Sequence, residues 1–353
     1  MITLLVTGAG APGIAGTIYS LRNNPRGRPF RIVSVDIKDG AVGRFLSDAF
    51  YQVPPPEDAV YIPVLKEIAL REKVIVIIPQ TTREIIALSE KKDFFGGHGI
   101  RVLVSSPEKI ALANNKCAIL GAAQACGVPH PRHYKIRTEA EFLPALHRLG
   151  YPEKKAVIKP PVSNGMRGFR IIADSAPDLN KFLSEKPDAS QMDPEGLLKT
   201  LRAGNWPELL MTEYLPGPEY SVDVFRSGDR ILAVPRLRAG IRDGITFHAR
   251  VEMRADLLKY STDLAREIGL EYCFGFQFKL SEDGTPKLLE CNPRVQGTMV
   301  VSTFAGCNMI YHSVMEALGE KTDLEGVNII DGLEFKRFWG GLAVQDETFI
   351  GSI

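Results

Sequence analysis

The segment PKLLECNPRVQGT (residues 286–298) carries the clearest chemical pattern in this 353-residue chain. Its two leucines predict a buried strand, so the side chains of Glu290 and Asn292, two residues apart, share one face of that strand. Two oxygen donors side by side suit a hard cation such as Mg²⁺. Arg294 follows two residues later, within reach of a phosphoryl group that such a cation would hold. A β-hairpin with a capped end and a surface ion pair is the competing interpretation.

A second strand, FGFQFKL (residues 274–280), precedes this segment and alternates polar with apolar side chains. The turn sequence SEDGT between the two strands predicts a hairpin. Gln277, which stands between Phe276 and Phe278, is therefore expected to enter the same region as Glu290 and Asn292.

The stretch AVIKPPVSNGMRGFRII (residues 156–172) places Lys159 at the end of an apolar strand and follows it with the small-residue loop Ser163–Gly168. Backbone amides of such a loop can approach phosphate oxygens closely, and a lysine adds a point charge. The loop lacks the G-K-[ST] ending of a P-loop, which excludes that mechanism. A flexible hairpin loop is the alternative.

The stretch MTEYLPGPEYSVDVF (residues 211–225) is a predicted strand–turn–strand that contains Glu213 and Glu219. Its backbone can hydrogen-bond an adenine edge while a carboxylate binds the ribose hydroxyls. By itself the pattern is equally compatible with an ordinary hairpin.

Taken together and in this order, the three stretches resemble the ATP-grasp superfamily. The resemblance is greatest to the ATP-binding half of the carbamoyl phosphate synthetase large chain and its single-unit relatives, and it covers about residues 1–320. It implies a mixed α/β and α+β chain, the ATP-grasp fold preceded by a Rossmann-like parallel α/β domain. We expect that N-terminal domain at 1–113, a small lid subdomain at 114–206, and at 207–353 a large antiparallel subdomain with the metal site and the C-terminal tail.

The resemblance also implies roles for individual residues. Lys116 and Lys159 would contact the nucleotide phosphates, and the loop Ser163–Gly168 would close over them. Residues 213–215 would hold adenine, and Glu219 would hold the ribose. The nucleotide-binding residues implied in this way are Lys116, Lys159, Ser163, Gly165, Gly168, Glu213, Tyr214, Leu215 and Glu219. Mg²⁺ or Mn²⁺ would be surrounded by Gln277, Glu290 and Asn292, and Arg294 would stabilise the transferred phosphoryl group.

Enzymes of this superfamily pass the γ-phosphate of ATP to a carboxylate, and a nucleophile then attacks the acyl phosphate. The expected function is therefore an ATP- and Mg²⁺-dependent ligase that joins a small carboxylic acid to an amine. A single-unit enzyme similar to carbamoyl phosphate synthetase and a non-catalytic nucleotide sensor are the alternatives. Intact Glu290, Asn292 and Arg294 argue against the sensor. A homodimer is left open.

The first turn, TGAGAPGIAG (residues 7–16), spells G-x-G-x-x-G, and Asp36 ends the next apolar run. This is the outline of a dinucleotide-binding turn. The strand–helix alternation of the first third stops after about four predicted strands, however, and a full dinucleotide fold uses six. The family resemblance implies a domain that carries no NAD and commonly contributes to the acceptor site. An NAD-dependent oxidoreductase is the competing hypothesis.

The stretch VPRLRAGIRDGITFHAR (residues 234–250) holds four arginines and a histidine. Arginine is suited to bidentate capture of a carboxylate. We expect at least one of Arg238 and Arg242 to clamp the acceptor's carboxylate or its acyl phosphate. A solvated, charged hairpin is the alternative.

Composition and net charge indicate which partners and which cellular compartment to expect. The net charge of +1, from 43 basic and 42 acidic residues, gives no overall field that would attract nucleic acid or an anionic membrane. No apolar run approaches the roughly 20 residues of a membrane span, and the N-terminus shows no signal-peptide pattern. The five scattered cysteines fit a reducing compartment. We therefore expect a cytoplasmic protein without nucleic-acid or membrane partners.

Three further elements are predicted from pattern alone. A continuous helical stretch is expected over Pro107–Cys126, and a helical excursion or flexible insertion over Glu185–Trp206. The C-terminal sequence GLEFKRFWGGLAVQDETFI (residues 332–350) predicts a terminal strand pair that folds back on the body of the protein.

Overall fold

The structure is a computed structural model, and it describes residues 1–163, 165–174, 183, 190–338, 340–345 and 348–352. The strands of these residues are, in chain order, β1 (Ile2–Val6), β2 (Phe30–Asp36), β3 (Ala49–Gln52), β4 (Val74–Ile78), β5 (Arg101–Val102), β6 (His133–Ile136), β7 (Ala156–Lys159), β8 (Arg170–Ile172), β9 (Gln191–Met192), β10 (Leu209–Glu213), β11 (Glu219–Ser227), β12 (Arg230–Arg242), β13 (Ile245–Val251), β14 (Tyr272–Leu280), β15 (Pro286–Asn292), β16 (Glu334–Lys336), β17 (Leu342–Gln345) and β18 (Thr348–Ser352).

The α-helices of the same residues are α1 (Ile14–Arg22), α2 (Tyr61–Arg71), α3 (Thr82–Glu90), α4 (Lys92–Gly96), α5 (Pro107–Asn114), α6 (Lys116–Ala125), α7 (Glu139–Arg148), α8 (Pro194–Leu201), α9 (Ala255–Ile268), α10 (Val300–Phe304) and α11 (Met309–Ala317). A short 3₁₀-helix spans Val42–Phe45.

The chain divides into two compact units. Unit 1 consists of Met1–Asn114, Pro218–Phe278 and Glu290–Ile353, and unit 2 of Asn115–Gly217 and Lys279–Leu289. Each unit has its own cluster of buried apolar side chains.

Unit 1 begins with a parallel sheet in the order β3-β2-β1-β4-β5. The predicted parallel α/β domain is thus confirmed, but with five strands where about four were predicted. The missed strand is β3, whose sequence AFYQ is short and only half-buried. Such a strand has neither an apolar run nor a clean alternation to reveal it.

The second sheet of unit 1 has the order β15-β14-β11-β12-β13-β16. Its pairs β11–β12, β12–β13 and β13–β16 are antiparallel, as the predicted hairpins imply. One apolar cluster contains buried residues of both sheets, among them Leu4 and Val6 of the parallel sheet and Val234 and Val251 of the second sheet. The mixed fold class predicted from the sequence is therefore confirmed.

Unit 2 contains a five-stranded sheet in the order β6-β10-β7-β8-β9. Its pairs are antiparallel except for the parallel pair β8–β9. Helix α7 starts with a capping box in which the side chains of Thr138 and Glu141 each bond the other residue's backbone. Its apolar face, with Phe142 and Leu146, packs into the cluster beneath the sheet.

One predicted helix needs correction, and part of a second predicted segment is helical. The continuous helix predicted over Pro107–Cys126 is two helices, because Asn115 adopts an extended conformation and its side chain caps α6 by accepting from the backbone N–H of Cys117 and Ala118. In the predicted excursion Glu185–Trp206, the described part forms β9 and α8. Residues 185–189 of that prediction lie outside the described residues.

The C-terminal strand pair is present but arranged differently from the prediction. β16 is the strand that joins the second sheet of unit 1, through β13. β17 and β18 pair with each other in a separate two-stranded sheet. Within the described ranges, no helix is long and apolar enough to cross a membrane.

His312, on α11, makes stability depend on pH. Burial, together with the nearby charge of Arg230, lowers the pKa of His312 to about 4 from an ordinary value of 6.5. A histidine that is neutral when folded binds fewer protons than it does in the unfolded chain. We therefore expect the free energy of unfolding to fall as pH drops from about 6.5 to about 4, by roughly 3 kcal/mol in total.

Urea denaturation at several pH values, on the parent and on His312→Asn, measures this effect. The variant should lose this part of the pH dependence while other acid-sensitive groups keep theirs. Identical slopes in the two proteins would assign the acid sensitivity to other groups.

Candidate active site

Strand β15 presents the predicted cation ligands on one edge of the second sheet of unit 1. Glu290 and Asn292 are half-buried, and Cys291 between them is buried, which is the alternation expected of a strand. On the neighbouring strand β14, Gln277 is half-buried between the buried Phe276 and Phe278. Three side chains with oxygen donors therefore belong to two adjacent strands, a donor set that suits Mg²⁺.

This donor set contains a single carboxylate. Among the residues that the structure describes, no group of three or more His, Cys, Asp or Glu side chains could hold a metal ion. A cation here would thus depend on amide oxygens, waters and ligand phosphates to complete its coordination, as Mg²⁺ commonly does.

Arg294 is held by three hydrogen bonds at the end of this strand. Nε donates to Thr82 Oγ1 at 3.1 Å, Nη1 to the Val295 carbonyl at 3.1 Å, and Nη2 to Asn292 Oδ1 at 3.2 Å. Burial lowers the pKa of Arg294, and the charges of Glu290 and Glu84 oppose that shift. The guanidinium is thus a fixed positive charge beside the oxygen donors Glu290 and Asn292.

Cys291 is the one thiol next to these ligands, and burial raises its pKa well above the ordinary value. A neutral, buried thiol is a poor nucleophile. The side chain therefore acts as a small apolar group in the core.

The glycine turn after β1 is held together from within unit 1. Gly8 has φ +62°, a conformation that favours glycine. The N–H of Gly10 donates to Asp36 Oδ2 at 2.7 Å, and Asp36 Oδ1 accepts from the backbone N–H of Lys38 at 2.9 Å. A Cβ on Gly13 would lie 2.9 Å from the Cα of Gly297. The glycines and the acid that suggest a dinucleotide site are thus used for tight packing of the protein itself.

In unit 2, the predicted phosphate-binding residues lie around one loop. Lys116 is buried, and its Nζ donates to the Ser163 carbonyl at 3.0 Å and to Ser163 Oγ at 3.3 Å. Its backbone N–H donates to the carbonyl of Pro161 at 2.8 Å. Lys159, also buried, ends β7 and donates to the carbonyl of Leu289 at 3.5 Å. Lys116 is therefore brought to the loop residue Ser163, as the predicted site requires.

The loop itself contains several left-handed residues. Gly165, Met166 and Gly168 have φ angles of +59°, +60° and +73°. A Cβ on Gly168 would meet Pro160 at 2.7 Å, so this position needs glycine. Residue 164, within the predicted loop, lies outside the described residues.

The predicted adenine segment follows β10. The carboxylate of Glu213 accepts from Lys287 Nζ at 2.6 Å and from both the backbone N–H and Nε of Arg132, at 3.1 and 3.2 Å. Burial opposes ionisation of Glu213, but these hydrogen bonds outweigh it and place the pKa of Glu213 below its ordinary value. Lys155 and Lys279 each lie over the ring of Tyr214, at 5.7 and 5.5 Å.

Leu215, the next residue, has a buried side chain. Across the described parts of the chain its backbone N–H has no protein acceptor, whereas those of Glu213 and Tyr214 donate to the carbonyls of Arg132 and Lys155. The carboxylate of Glu213 is thus engaged by Lys287 and Arg132. The backbone N–H of Leu215 is the group that can donate a hydrogen bond to the edge of a base.

The arginine-rich hairpin β12–β13 holds the two predicted clamps, Arg238 and Arg242, in different surroundings. Arg238 is buried, and its guanidinium bonds the carboxylate of Glu219, Thr246 Oγ1 at 2.9 Å and the Gly244 carbonyl at 2.6 Å. Arg242 is exposed and lies over the ring of Phe247 at 4.8 Å. Of the two predicted clamps, Arg242 therefore faces solvent, and Arg238 fixes Glu219, the residue predicted to bind the ribose.

The neighbouring Arg236 is fully buried in a bidentate pair with Asp223, with both bonds at 2.9 Å. It also donates to Gln296 Oε1 at 3.3 Å, and Ser302 Oγ donates to Asp223 at 2.7 Å. This cluster lies in the core of unit 1 and is structural.

The site also contains groups that sequence reasoning did not find. Thr82, which bonds Arg294, precedes it by 212 residues, and no local pattern connects the two. Glu84 is buried beside the glycine turn, where its Oε1 accepts from Thr7 Oγ1 at 2.6 Å and from the backbone N–H of Gln80 and Thr81 at 2.9 and 2.7 Å. The Thr81-x-x-Glu84 spacing of a capping box was the available signal.

Comparison with known families agrees with this architecture. Residues 4–103 match the model of a PylC-like N-terminal domain, and residues 205–337 match a model described as ATP-grasp in the biosynthetic pathway with Ter operon. Residues 205–337 thus resemble the ATP-grasp superfamily. Within that superfamily the chain resembles one unit of the carbamoyl phosphate synthase large chain.

The large chain from Clostridium acetobutylicum is 24% identical over 72% of this chain, and the one from Rubrobacter xylanophilus is 28% identical over 63%. The matched regions are only 24% and 20% of those two proteins, so this chain spans about a quarter or less of their length. An uncharacterized protein, y4rH of Sinorhizobium fredii, is 27% identical over 62% of this chain and 44% of its own length.

Solved structures share the fold at lower identity. The ADP complex of N5-carboxyaminoimidazole synthetase from Staphylococcus aureus has a TM-score of 0.67 at 16% identity, covering 91% of this chain and 78% of that one. The biotin carboxylase domain of Hydrogenobacter thermophilus 2-oxoglutarate carboxylase, solved with MgADP and bicarbonate, has a TM-score of 0.70 at 17% identity, covering 93% and 72%. These likenesses establish the ATP-grasp fold predicted from the sequence.

Proposed function

We propose that this chain is an ATP- and Mg²⁺-dependent ligase that joins a small carboxylic acid to an amine through an acyl phosphate. The observation that carries the proposal is the arrangement of Glu290, Asn292 and Arg294 at the end of β15, where two side chains with oxygen ligands adjoin a guanidinium fixed by hydrogen bonds. Phosphoryl transfer needs alignment and neutralisation of charge more than covalent help from the protein. That arrangement supplies both.

The proposed reaction has two steps. A carboxylate oxygen of the acid attacks the γ-phosphorus of ATP, the bond to the β,γ-bridging oxygen breaks, and ADP leaves. The amine nitrogen then attacks the carbonyl carbon of the acyl phosphate, inorganic phosphate leaves with the bonding electrons, and the nitrogen loses a proton. The products are an amide, ADP and phosphate.

The residues are assigned as follows in this proposal. Lys116, Lys159 and the loop Ser163–Gly168 bind the phosphates. The backbone at Leu215 binds the adenine edge, and Glu219, oriented by Arg238, binds the ribose.

The remaining residues are assigned to the metal ion, the transferred phosphoryl group and the acceptor acid. Gln277, Glu290 and Asn292 would hold Mg²⁺, which when bound neutralises charge on the phosphates. Arg294 stabilises the transferred phosphoryl group, and the exposed Arg242 captures the acceptor's carboxylate. The same proposal assigns an N-terminal domain to 1–113, a lid to 114–206 and the large subdomain to 207–353.

The direct test measures ADP and phosphate release from ATP and Mg²⁺ with carboxylic acids and amines supplied in pairs. We expect ADP release only when an acceptor acid is present, and amide formation only when the amine is present too. Release of AMP and pyrophosphate would instead indicate an adenylating enzyme. Nucleotide binding without turnover for any pair would favour the nucleotide sensor. ADP release with bicarbonate and ammonia as the pair would favour an enzyme similar to carbamoyl phosphate synthase.

A second expected result concerns the loop Ser163–Gly168, which contains Gly165 and Gly168 and whose Met166 is half exposed. Closure over the nucleotide would keep water from an acyl phosphate that otherwise hydrolyses. Amide hydrogen exchange at residues 165–168 should slow when a non-hydrolysable ATP analogue and Mg²⁺ are added. The turn at Gly228, exposed and also left-handed, serves as the control and should exchange at an unchanged rate. Equal exchange at 165–168 with and without the analogue would contradict a closing loop.

A further inference from the structure

A cavity of about 240 Å³ lies in unit 1 beside the glycine turn, at the ends of β1 and β2. The crevice at the carboxyl ends of parallel strands is the usual ligand position in such sheets. Its apolar wall includes Val35, Val53 and Pro56. The volume suits a molecule of the size of an amino acid.

Two carboxyl groups, those of Asp36 and Glu84, line this cavity. Asp36 contributes a carboxylate whose two oxygens each accept one backbone N–H, which leaves further lone pairs on both. Glu84 contributes a buried carboxyl group whose Oε1 accepts three hydrogen bonds, from Thr7 Oγ1 and from the backbone N–H of Gln80 and Thr81. Both groups are therefore fixed in orientation before any ligand arrives.

Tyr61 provides an independent indication of a ligand. Its side chain lines the cavity and is only 1% exposed, yet its hydroxyl has no hydrogen-bond partner among the residues described. A buried hydroxyl without a partner costs about 1–3 kcal/mol. A ligand in the cavity can supply the missing bond.

The cationic groups at the cavity stand at its exposed rim. Lys38 is exposed, and Arg83 forms a bidentate pair with Glu57 at 2.8 and 2.6 Å. The inner surface thus carries the carboxyl groups, and the rim carries the positive charge of Lys38, since Glu57 compensates that of Arg83. This polarity matches a molecule with an amine at one end and a carboxylate or other anionic group at the other.

We propose that this cavity binds a small primary amine, with its N–H donors directed to Asp36, Glu84 and the Tyr61 hydroxyl. An ammonium group has three donors and no acceptor, which complements three oxygen sites. Before it acts as a nucleophile, the ammonium passes one proton to the Asp36 carboxylate, which frees the nitrogen lone pair. The inference rests on the proposed function only in the role that it gives this amine, which is the nucleophile that attacks the acyl phosphate. Thr82, the hydrogen-bond partner of Arg294, stands in the chain between the lining residues Thr81 and Arg83, which connects the cavity to the arginine of the proposed phosphoryl-transfer site.

The test measures binding without ATP or Mg²⁺, by ligand-observed NMR titration. The probes are four matched pairs that differ only in the amine: alanine and propionate, 4-aminobutyrate and butyrate, leucine and 4-methylpentanoate, phenylalanine and 3-phenylpropionate. We expect at least one amine to bind about tenfold or more tightly than its partner, the ratio equivalent to one good hydrogen bond. If no amine binds more tightly than its partner, the proposal is wrong.

Two variants locate the binding. Tyr61→Phe removes a hydroxyl that bonds nothing in the described protein, so the fold should keep its thermal stability while amine affinity falls about fivefold or more. Asp36→Asn should weaken the amine and leave its deaminated partner unchanged. Tyr19→Phe is the matched control, because Tyr19 is 40% exposed and lies outside the cavity lining. Amine binding that is equal in the parent and in Tyr61→Phe and Asp36→Asn would place the amine elsewhere.

The outcome can be separated from that of the proposed function. If amine binding depends on Tyr61 but no pair of substrates releases ADP, the ligase activity is wrong and the amine site stands. If ADP is released but Tyr61→Phe leaves the KM for the amine unchanged, the ligase activity stands and this site is wrong.

Discussion

Replacing Arg294 by alanine is expected to lower kcat by about 10²–10³ while ATP affinity changes by no more than a few-fold, the effect of removing one transition-state donor. The guanidinium is fixed by Thr82 and Asn292 before substrate arrives, so its charge needs little reorganisation in the transition state. Steady-state kinetics together with direct nucleotide titration separate the two quantities. Lys159→Ala should show the opposite pattern, with weakened ATP binding.

Two further variants make this result specific. Thr82→Val removes the hydroxyl that bonds Arg294 Nε and keeps the shape, so it should lower kcat less than Arg294→Ala and leave ATP affinity unchanged. Arg266→Ala is the control, since Arg266 is exposed on α9 and forms a 3.8 Å ion pair with Asp263 of its own helix. If Arg294→Ala and Lys159→Ala lose ATP affinity equally, without a separate turnover defect, the role assigned to Arg294 is wrong.

The largest stability effect is expected for Asp223→Ala. Arg236 and Asp223 are both fully buried, and the variant leaves the guanidinium without its carboxylate partner and Ser302 Oγ without its acceptor. Removing one partner of a buried ion pair costs about 3–5 kcal/mol. This is a large fraction of the roughly 5–15 kcal/mol that stabilises a typical protein. Chemical denaturation measures the change.

The control for this prediction is Asp229→Ala. Asp229 is exposed in the β11–β12 turn, and substitution there should alter the free energy of unfolding by less than about 0.5 kcal/mol. The double variant Asp223→Leu/Arg236→Met should recover most of the loss, because it removes both charges together. A double variant as unstable as Asp223→Ala would mean that apolar packing, and not the unpaired charge, sets the cost.

The sequence predicted those parts of the fold that rest on local periodicity. The apolar patterns predict a strand at Ile2–Thr7, a helix at Ile14–Arg22 and a strand at Val74–Pro79, each within a residue of the observed bounds of β1, α1 and β4. β3 was missed because AFYQ contains only half-buried and exposed residues. The break at Asn115 was missed because an N-cap in the middle of a helical pattern differs little from a polar residue on an exposed face.

For the site, the sequence predicted which residue types lie close together. It did not predict which of these side chains already form hydrogen bonds within the protein. The alternation of Glu290 and Asn292 follows from the strand period. The engagement of Arg238 by Glu219, Thr246 and Gly244 depends on strand pairing and on a bulge in β12, and spacing alone does not reveal those. Asp36 likewise has the right spacing for a ribose, and only the folded turn shows that it bonds Gly10.

The packing of α1 has a consequence for the order in which the chain can mature during synthesis. Gly16 lies against Val300, Ser20 bonds Thr303 and Asn308, and the ring of Phe30 contacts that of Tyr311. These partners are synthesised roughly 280 residues after α1. Until then, one apolar side of the newly made N-terminal sheet stays exposed. A nascent chain stalled before residue 300 should therefore present that side to chaperones, and completion of the last helices should release it.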